Sequence, residues 1–115
     1  MIQVICPVCG AALEPQGTAW RCVQGHCFDV ARQGYVNLLT VTQKHSRHPG
    51  DTREMVAARR AFLDAGWYAP IAKTLADLVR RFCPETASVL DAGCGEGYYL
   101  SQLGWVPERW GIDIS

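Results

Sequence analysis

Apolar residues recur at i, i+4, i+7, i+8 and i+11 from Ile71 through Leu75, Leu78 and Val79 to Phe82, which is one stripe of an amphipathic helix. Its start is expected at Pro70, whose missing N–H is harmless in a first turn, and Pro84 ends it. An earlier helix is expected from Asp51, read as N-cap with Glu54 in the capping-box position, to a stop at Gly66. Met55, Phe62 and Leu63 would fall on one side of it, with Arg59 and Arg60 toward the other. Past Pro84 the period shortens. Residues 88–92 form an apolar run suited to a buried parallel strand, a glycine turn follows, a helix is expected over 98–103, and a second strand over 110–114. Ahead of residue 43 only short β-like runs occur, at 18–22 and 35–39. So few large apolar side chains cannot hold a core alone, which predicts a small module stapled by metal.

Composition narrows the class. With 49% apolar and 19% charged residues in 115, the chain has no disorder signature, and its length suits one domain or a module plus part of another. Net charge is zero, yet residues 1–60 carry seven Lys/Arg against four Asp/Glu, an excess of +3 that leaves −3 for the remainder. The segment Gln43-Lys44-His45-Ser46-Arg47-His48-Pro49-Gly50 reads as a polar, basic connector. Together with Arg32, Arg53, Arg59 and Arg60, and with Trp20 and Tyr35 nearby, it suits RNA phosphates and stacking on unpaired bases. A solvated loop and helix face would have the same composition. No membrane span or signal peptide is apparent, so a reducing cytoplasm is expected. There, six cysteines point to metal ligands or buried thiols rather than disulfides.

Cys6-Pro7-Val8-Cys9-Gly10 is a knuckle, two thiols on a tight turn with a glycine able to take positive φ. Downstream, Cys22-Val23-Gln24-Gly25-His26-Cys27 offers a second pair. Cys6, Cys9 and Cys22 with either His26 or Cys27 complete a tetrahedral zinc set, and spacing alone does not choose. A closed structural site is expected, contributing on the order of 10 kcal/mol to folding of the module. A redox C-x-x-C is disfavoured because no βαβ pattern surrounds it.

The second constellation is Asp91-Ala92-Gly93-Cys94-Gly95-Glu96-Gly97 after an apolar strand, with Asp113 sixteen residues beyond the last glycine. Glycines allow close backbone approach to a ligand, and Asp113 is placed to accept from ribose hydroxyls. Asp91 and Glu96 would repel a pyrophosphate but suit a sulfonium, which favours S-adenosylmethionine over a dinucleotide. Cys94 is expected to be a packed thiol, and Cys83 to be buried at a helix end.

Taken in order, Cys6-Pro7-Val8-Cys9, Cys22 to His26, Phe28-Asp29, Gly34-Tyr35-Val36-Asn37-Leu38-Leu39, Ser46-Arg47, Pro49-Gly50-Asp51, Ala58-Arg59-Arg60-Ala61-Phe62-Leu63, Gly66, Tyr68 and residues 89–99 resemble the bacterial 23S ribosomal RNA (guanine-N1)-methyltransferases. The resemblance spans essentially the whole chain. It implies an α/β architecture: a small zinc-ribbon-like β module over 1–42, a basic linker over 43–51, and over 52–115 the first part of a Rossmann-like class I methyltransferase domain. It implies His26 as the fourth zinc ligand and places Tyr68 at the cofactor. The implied S-adenosylmethionine set is then Tyr68, Asp91, Gly93, Gly95, Glu96, Gly97 and Asp113. The RNA set is Lys44, Arg47, Arg53, Arg59 and Arg60, and the partner is 23S ribosomal RNA. Family members continue well past this point, so the chain is expected to be an incomplete, inactive fragment with no assignable catalytic residue. Its open sheet edge, with Leu90 and Ile112 lacking neighbours, predicts poor solubility of the isolated fragment or its association into a homodimer. The rival readings are a non-catalytic zinc-binding RNA or protein interaction module and a methyltransferase of small molecules.

Overall fold

A computed structural model describes residues 2–44, 46–47, 49–85 and 87–114; His45 and His48 of the connector lie outside them, as does Ser115. The chain divides into two compact units, residues 2–47 and 48–115.

In the first unit, β1 (Glu14–Gln16), β2 (Ala19–Arg21) and β3 (Cys27–Asp29) form an antiparallel sheet in that order. Gln16 pairs with Ala19, so Gly17-Thr18 is a two-residue loop, and Gly17 takes the positive φ of 65° that such tight hairpins need. Ahead of it the knuckle is fixed by backbone bonds, Gly10 N–H to Cys6 O and Cys6 N–H to Ala11 O, each 2.8 Å. The core consists of Cys6, Leu13 and Cys22, with Val4, Ala11, Trp20, Phe28 and Leu38 packed around them. The β-like run at 35–39 is not a strand: Val36 makes only an isolated bridge with Val30. The ladder instead uses Glu14–Gln16 and Cys27–Asp29, polar segments with little apolar signal.

In the second unit, α1 spans Arg53–Asp64 and is capped by Thr52, whose hydroxyl accepts the Met55 N–H at 3.2 Å. The expected Asp51 cap is therefore off by one residue, and the Asp51 carboxylate pairs with Arg59 instead. Gly66, at φ 87°, closes the helix through its N–H to Leu63 O. Helix α2 spans Ala69–Phe82 with Pro70 in its first turn and Cys83, half-buried rather than buried, as its C-cap. Its Ala72 is buried, as are Leu103 and Val106, whereas Ile71, Leu75, Leu78 and Phe82 are exposed.

Strand β4 (Ser88–Ala92) pairs in parallel with β5 (Glu108–Ile112), from Ser88 opposite Glu108 to Ala92 opposite Ile112. The second strand thus starts two residues earlier than its apolar residues suggested. Glu108 supports the start, since its carboxylate accepts from both Ser88 Oγ and Trp110 Nε1. The helix expected over 98–103 is corrected to turns and a short 3-10 segment, Leu100–Gln102. Gly93, Gly95 and Gly97 take positive φ in alternation with Cys94 and Glu96, so a helical run can start only at Tyr98. From there the chain closes through tighter i→i+3 bonds, Gln102 N–H to Tyr99 O and Leu103 N–H to Leu100 O.

The glycine turn rests on β5. Gly93 and Cys94 both donate their N–H to Ile112 O, at 2.7 and 3.0 Å. A Cβ added at Gly111 would lie 2.6 Å from Cys94 Sγ and 3.1 Å from Leu100 Cδ1. Gly111→Ala is expected to destabilise the second unit by about 1–3 kcal/mol through overpacking. Cys94→Ala in the same chain should recover part of that loss, both read from urea unfolding midpoints.

Candidate functional site

Three thiols and one imidazole converge in the first unit. Cys6, Cys9, Cys22 and His26 place one ligand atom each within 4.8 Å of one another. Cys9 Sγ lies 3.7 Å from Cys22 Sγ, and His26 Nδ1 lies 3.3 Å from Cys22 Sγ and 3.6 Å from Cys6 Sγ. Zinc–sulfur bonds of about 2.3 Å and zinc–nitrogen bonds of about 2.0–2.1 Å at tetrahedral angles imply separations of about 3.8 and 3.6 Å, so the donor set fits. All six cysteines are free thiols. Cys27 stays outside the group, exposed on β3.

Local structure explains the convergence. The Cys6-to-Cys9 turn presents two thiols on one side, while the Cys22–His26 loop is closed by Cys22 N–H to His26 O and Gly25 N–H to Cys22 O, both 3.1 Å. Burial pushes the Cys22 thiol up, but the His26 and Gln24 backbone, the His26 ring and Cys9 outweigh it and bring it to about 6. The Ala11 backbone lowers Cys9, yet burial and the neighbouring Cys22 and Cys6 raise it overall. One thiol of the group therefore ionises readily and discourages the next, the arrangement that a divalent cation relieves.

In the second unit the residues expected at a cofactor gather around the glycine turn. Asp91 is half-buried at the end of β4. Asp113, just past β5, accepts the Gly95 N–H at 2.8 Å. A Cβ placed on Gly93, Gly95 or Gly97 would meet nothing within 4 Å, so it is their positive φ and not crowding that demands glycine. The Glu96 carboxylate is held by Arg60 of α1, with Nε to Oε2 at 2.6 Å. Burial pushes the Cys94 thiol up, and Asp113 and Asp91 add to this, which suits a packed thiol and not a nucleophile.

Tyr68 lies just ahead of α2, edge-on to Phe62 with ring centroids 4.9 Å apart. It lines a groove of about 630 Å³ with Met55, Arg59, Phe62, Leu63 and Tyr99. Arg59 thus shares the apolar side of α1, contrary to the face assigned to it. Residues 55, 59, 62 and 63 stand at i, i+4, i+7 and i+8, a spacing that already carried the signal. Tyr99, the second of two tyrosines after Gly97, is a lining residue that the sequence pattern does not single out. Of the basic residues, Lys44, Arg47 and Arg53 are exposed, while Arg59 and Arg60 pair with Asp51 and Glu96.

Comparison with known proteins bears out the resemblance seen in the motifs. Residues 4–47 match the zinc-ribbon family described as RlmA, N-terminal. The chain is 46% identical over 100 residues to the 23S rRNA (guanine(748)-N(1))-methyltransferase of Streptomyces fradiae, covering 85% of this chain and 35% of that protein. It is 42% identical over 128 residues to a putative 23S rRNA (guanine-N(1)-)-methyltransferase of Micromonospora griseorubida, covering 95% and 42% respectively. A protein of the same putative description from Bacillus subtilis (strain 168) is 34% identical over 121 residues, covering 96% and 42%. The chain therefore spans 35–42% of the length of these curated relatives.

The family match and the Cys3His cluster together support zinc. Elemental analysis of the purified chain is expected to give one zinc per molecule, retained in Cys27→Ser and lost in Cys22→Ala. Chelation should unfold residues 2–47, removing a contribution on the order of 10 kcal/mol. Retention of zinc by Cys22→Ala would show that another ligand set is used.

Proposed function

We propose, from the kinship of both units with the 23S rRNA (guanine-N1)-methyltransferases, that this chain is the RNA-facing and donor-binding front part of such an enzyme. The observation that carries the reading is that the alignments cover 85–96% of the chain and so take in both units. In this reading residues 1–42 are the zinc module, 43–51 the linker, and 52–115 the start of a Rossmann-like class I methyltransferase domain. The parallel pair β4 and β5, with the glycine turn at the carboxyl end of β4, is consistent with that start.

Cys6, Cys9, Cys22 and His26 hold zinc in a closed set that shapes the module and leaves no position for substrate. S-adenosylmethionine supplies an electrophilic methyl on sulfur. Asp91, Glu96 and Asp113 give the turn a negative lining that favours the sulfonium and accepts ribose hydroxyls. Gly93, Gly95 and Gly97 let the backbone approach the ligand closely, and Tyr68 offers a flat apolar wall. Such a donor would give that methyl to a guanine N1 that has first lost its proton, and the part left to this chain's residues is to hold and orient the donor. Catalysis of this kind rests mainly on positioning.

Lys44, Arg47 and Arg53 are the better RNA candidates, because the guanidinium groups of Arg59 and Arg60 are engaged by carboxylates. An enzyme of this kind acts on 23S ribosomal RNA in the cytoplasm, and the exposed Leu90 and Ile112 would suit a homodimer or further sheet neighbours. Among the described residues no helix is long and apolar enough to cross a membrane.

The test uses the protein with whatever sequence follows Ser115 in its gene. Incubation with 23S RNA and labelled S-adenosylmethionine is expected to transfer label to one guanine, seen as a reverse-transcription stop because N1 methylation blocks base pairing. No transfer to any RNA would overturn the reading. Replacing Lys44, Arg47 and Arg53 together by Ala should lower the salt-dependence slope of RNA binding by about 1 for each phosphate no longer neutralised.

A further inference from the structure

Glu96 sits in the glycine turn, and its carboxylate is gripped by a side chain 36 residues earlier in the sequence. Arg60 of α1 donates from Nε to Oε2 at 2.6 Å and from a terminal nitrogen to Oε1. A planar fork on a planar carboxylate fixes orientation as well as distance. The start of the turn is tied to β5 through Gly93 and Cys94, and Gly97 donates its N–H to Cys94 O, but the Glu96 side chain is held by Arg60. Gly95 and Gly97, on either side of Glu96, take φ of 56° and 85°, and glycine loses more conformational freedom on ordering than any other residue. From just past β5, Asp113 holds the Gly95 N–H. Two elements thus grip two consecutive residues of the turn.

We infer that Arg60 is a positioning residue, holding Glu96 and the turn from Gly95 to Gly97 in the arrangement that receives a sulfonium nucleoside, so that donor affinity depends on the seating of α1. The inference rests on the donor reading given above. A carboxylate has about four lone-pair sites, of which the fork occupies two, leaving acceptors for ribose hydroxyls or an ammonium. The guanidinium also offsets one of three acids, Asp91, Glu96 and Asp113, that crowd the turn. Arg60 holds the Glu96 carboxyl below the usual carboxylate range, and Glu96 raises the guanidinium in return. The pairing is therefore complete at neutral pH and is lost as pH falls through the lowered Glu96 value. Both side chains are about half exposed, 56% and 45%, so the pair adds little to global stability and its effect is local.

The test is isothermal titration of the zinc-loaded chain with S-adenosylmethionine, comparing the unmodified protein with Arg60→Ala, Arg60→Lys, Glu96→Ala and the Arg60→Ala/Glu96→Ala pair. Arg60→Ala is expected to weaken binding about tenfold, as it would if the turn held the competent arrangement a tenth of the time, with the thermal midpoint nearly unchanged. Arg60→Lys should not restore affinity, since an ammonium lacks the fork. On the Glu96→Ala background the Arg60 change should have little further effect. Carbon-detected NMR should show the Glu96 titration rising toward the ordinary carboxylate value in Arg60→Ala, and amide exchange at residues 95–97 should quicken. Equal donor affinity in Arg60→Ala, or an Arg60 effect undiminished without Glu96, overturns the inference. No donor binding by the unmodified chain overturns the donor reading instead; unchanged amide exchange in Arg60→Ala then overturns the grip on the turn as well.

Discussion

The first unit depends on the meeting of four ligand atoms within 4.8 Å, because its core and its metal cluster are nearly the same residues. Of the three members of the buried cluster, Cys6 and Cys22 are thiols that belong to the ligand set, and only Leu13 is a purely hydrocarbon side chain. Strands of three residues each cannot hold their register by apolar burial alone. The side chains of Trp20, Phe28 and Leu38 pack on a centre made largely of the ligand thiols. A protein of this size class commonly solves the shortage of core in this way.

The second unit solves a different problem. Its parallel strands have exposed apolar side chains, Leu90 and Ile112, and the stripe of α2 is likewise open. Order at the glycine turn comes from polar contacts drawn from three places: β5 through Ile112 O, the residue after β5 through Asp113, and α1 through Arg60. These are directional bonds, suited to setting the shape of a binding loop more than to adding global stability.

The legibility of this chain in sequence followed the chemistry of each signal. The ends of α2 and β4 were readable because Pro70, Pro84 and the glycine run are strong punctuators. Cys6, Cys9 and Cys22 were readable because ligand spacing is a local constraint, whereas the choice of His26 over Cys27 came from the family resemblance and not from spacing. What was not readable depended on tertiary choice. Asp51 and Thr52 are both good caps, and the decision between them was made by Arg59 drawing Asp51 away. The small strands β1 and β3 carry no apolar alternation, so only the metal-fixed loops reveal them. The role of Arg60 was hidden for the same reason: a basic residue on an exposed helix looks the same whether it meets phosphate, water or a carboxylate 36 residues away.

All four converging residues fall within the first 26 positions, and the last side chain packed on that core is Leu38. A ribosome would therefore have delivered every ligand before any residue of α1 was made. Domains commonly fold in the order they are synthesised. The first unit can thus capture its ion and close while the remainder is still being translated, so that metal supply in the cell acts on the birth of this protein and not only on its finished form.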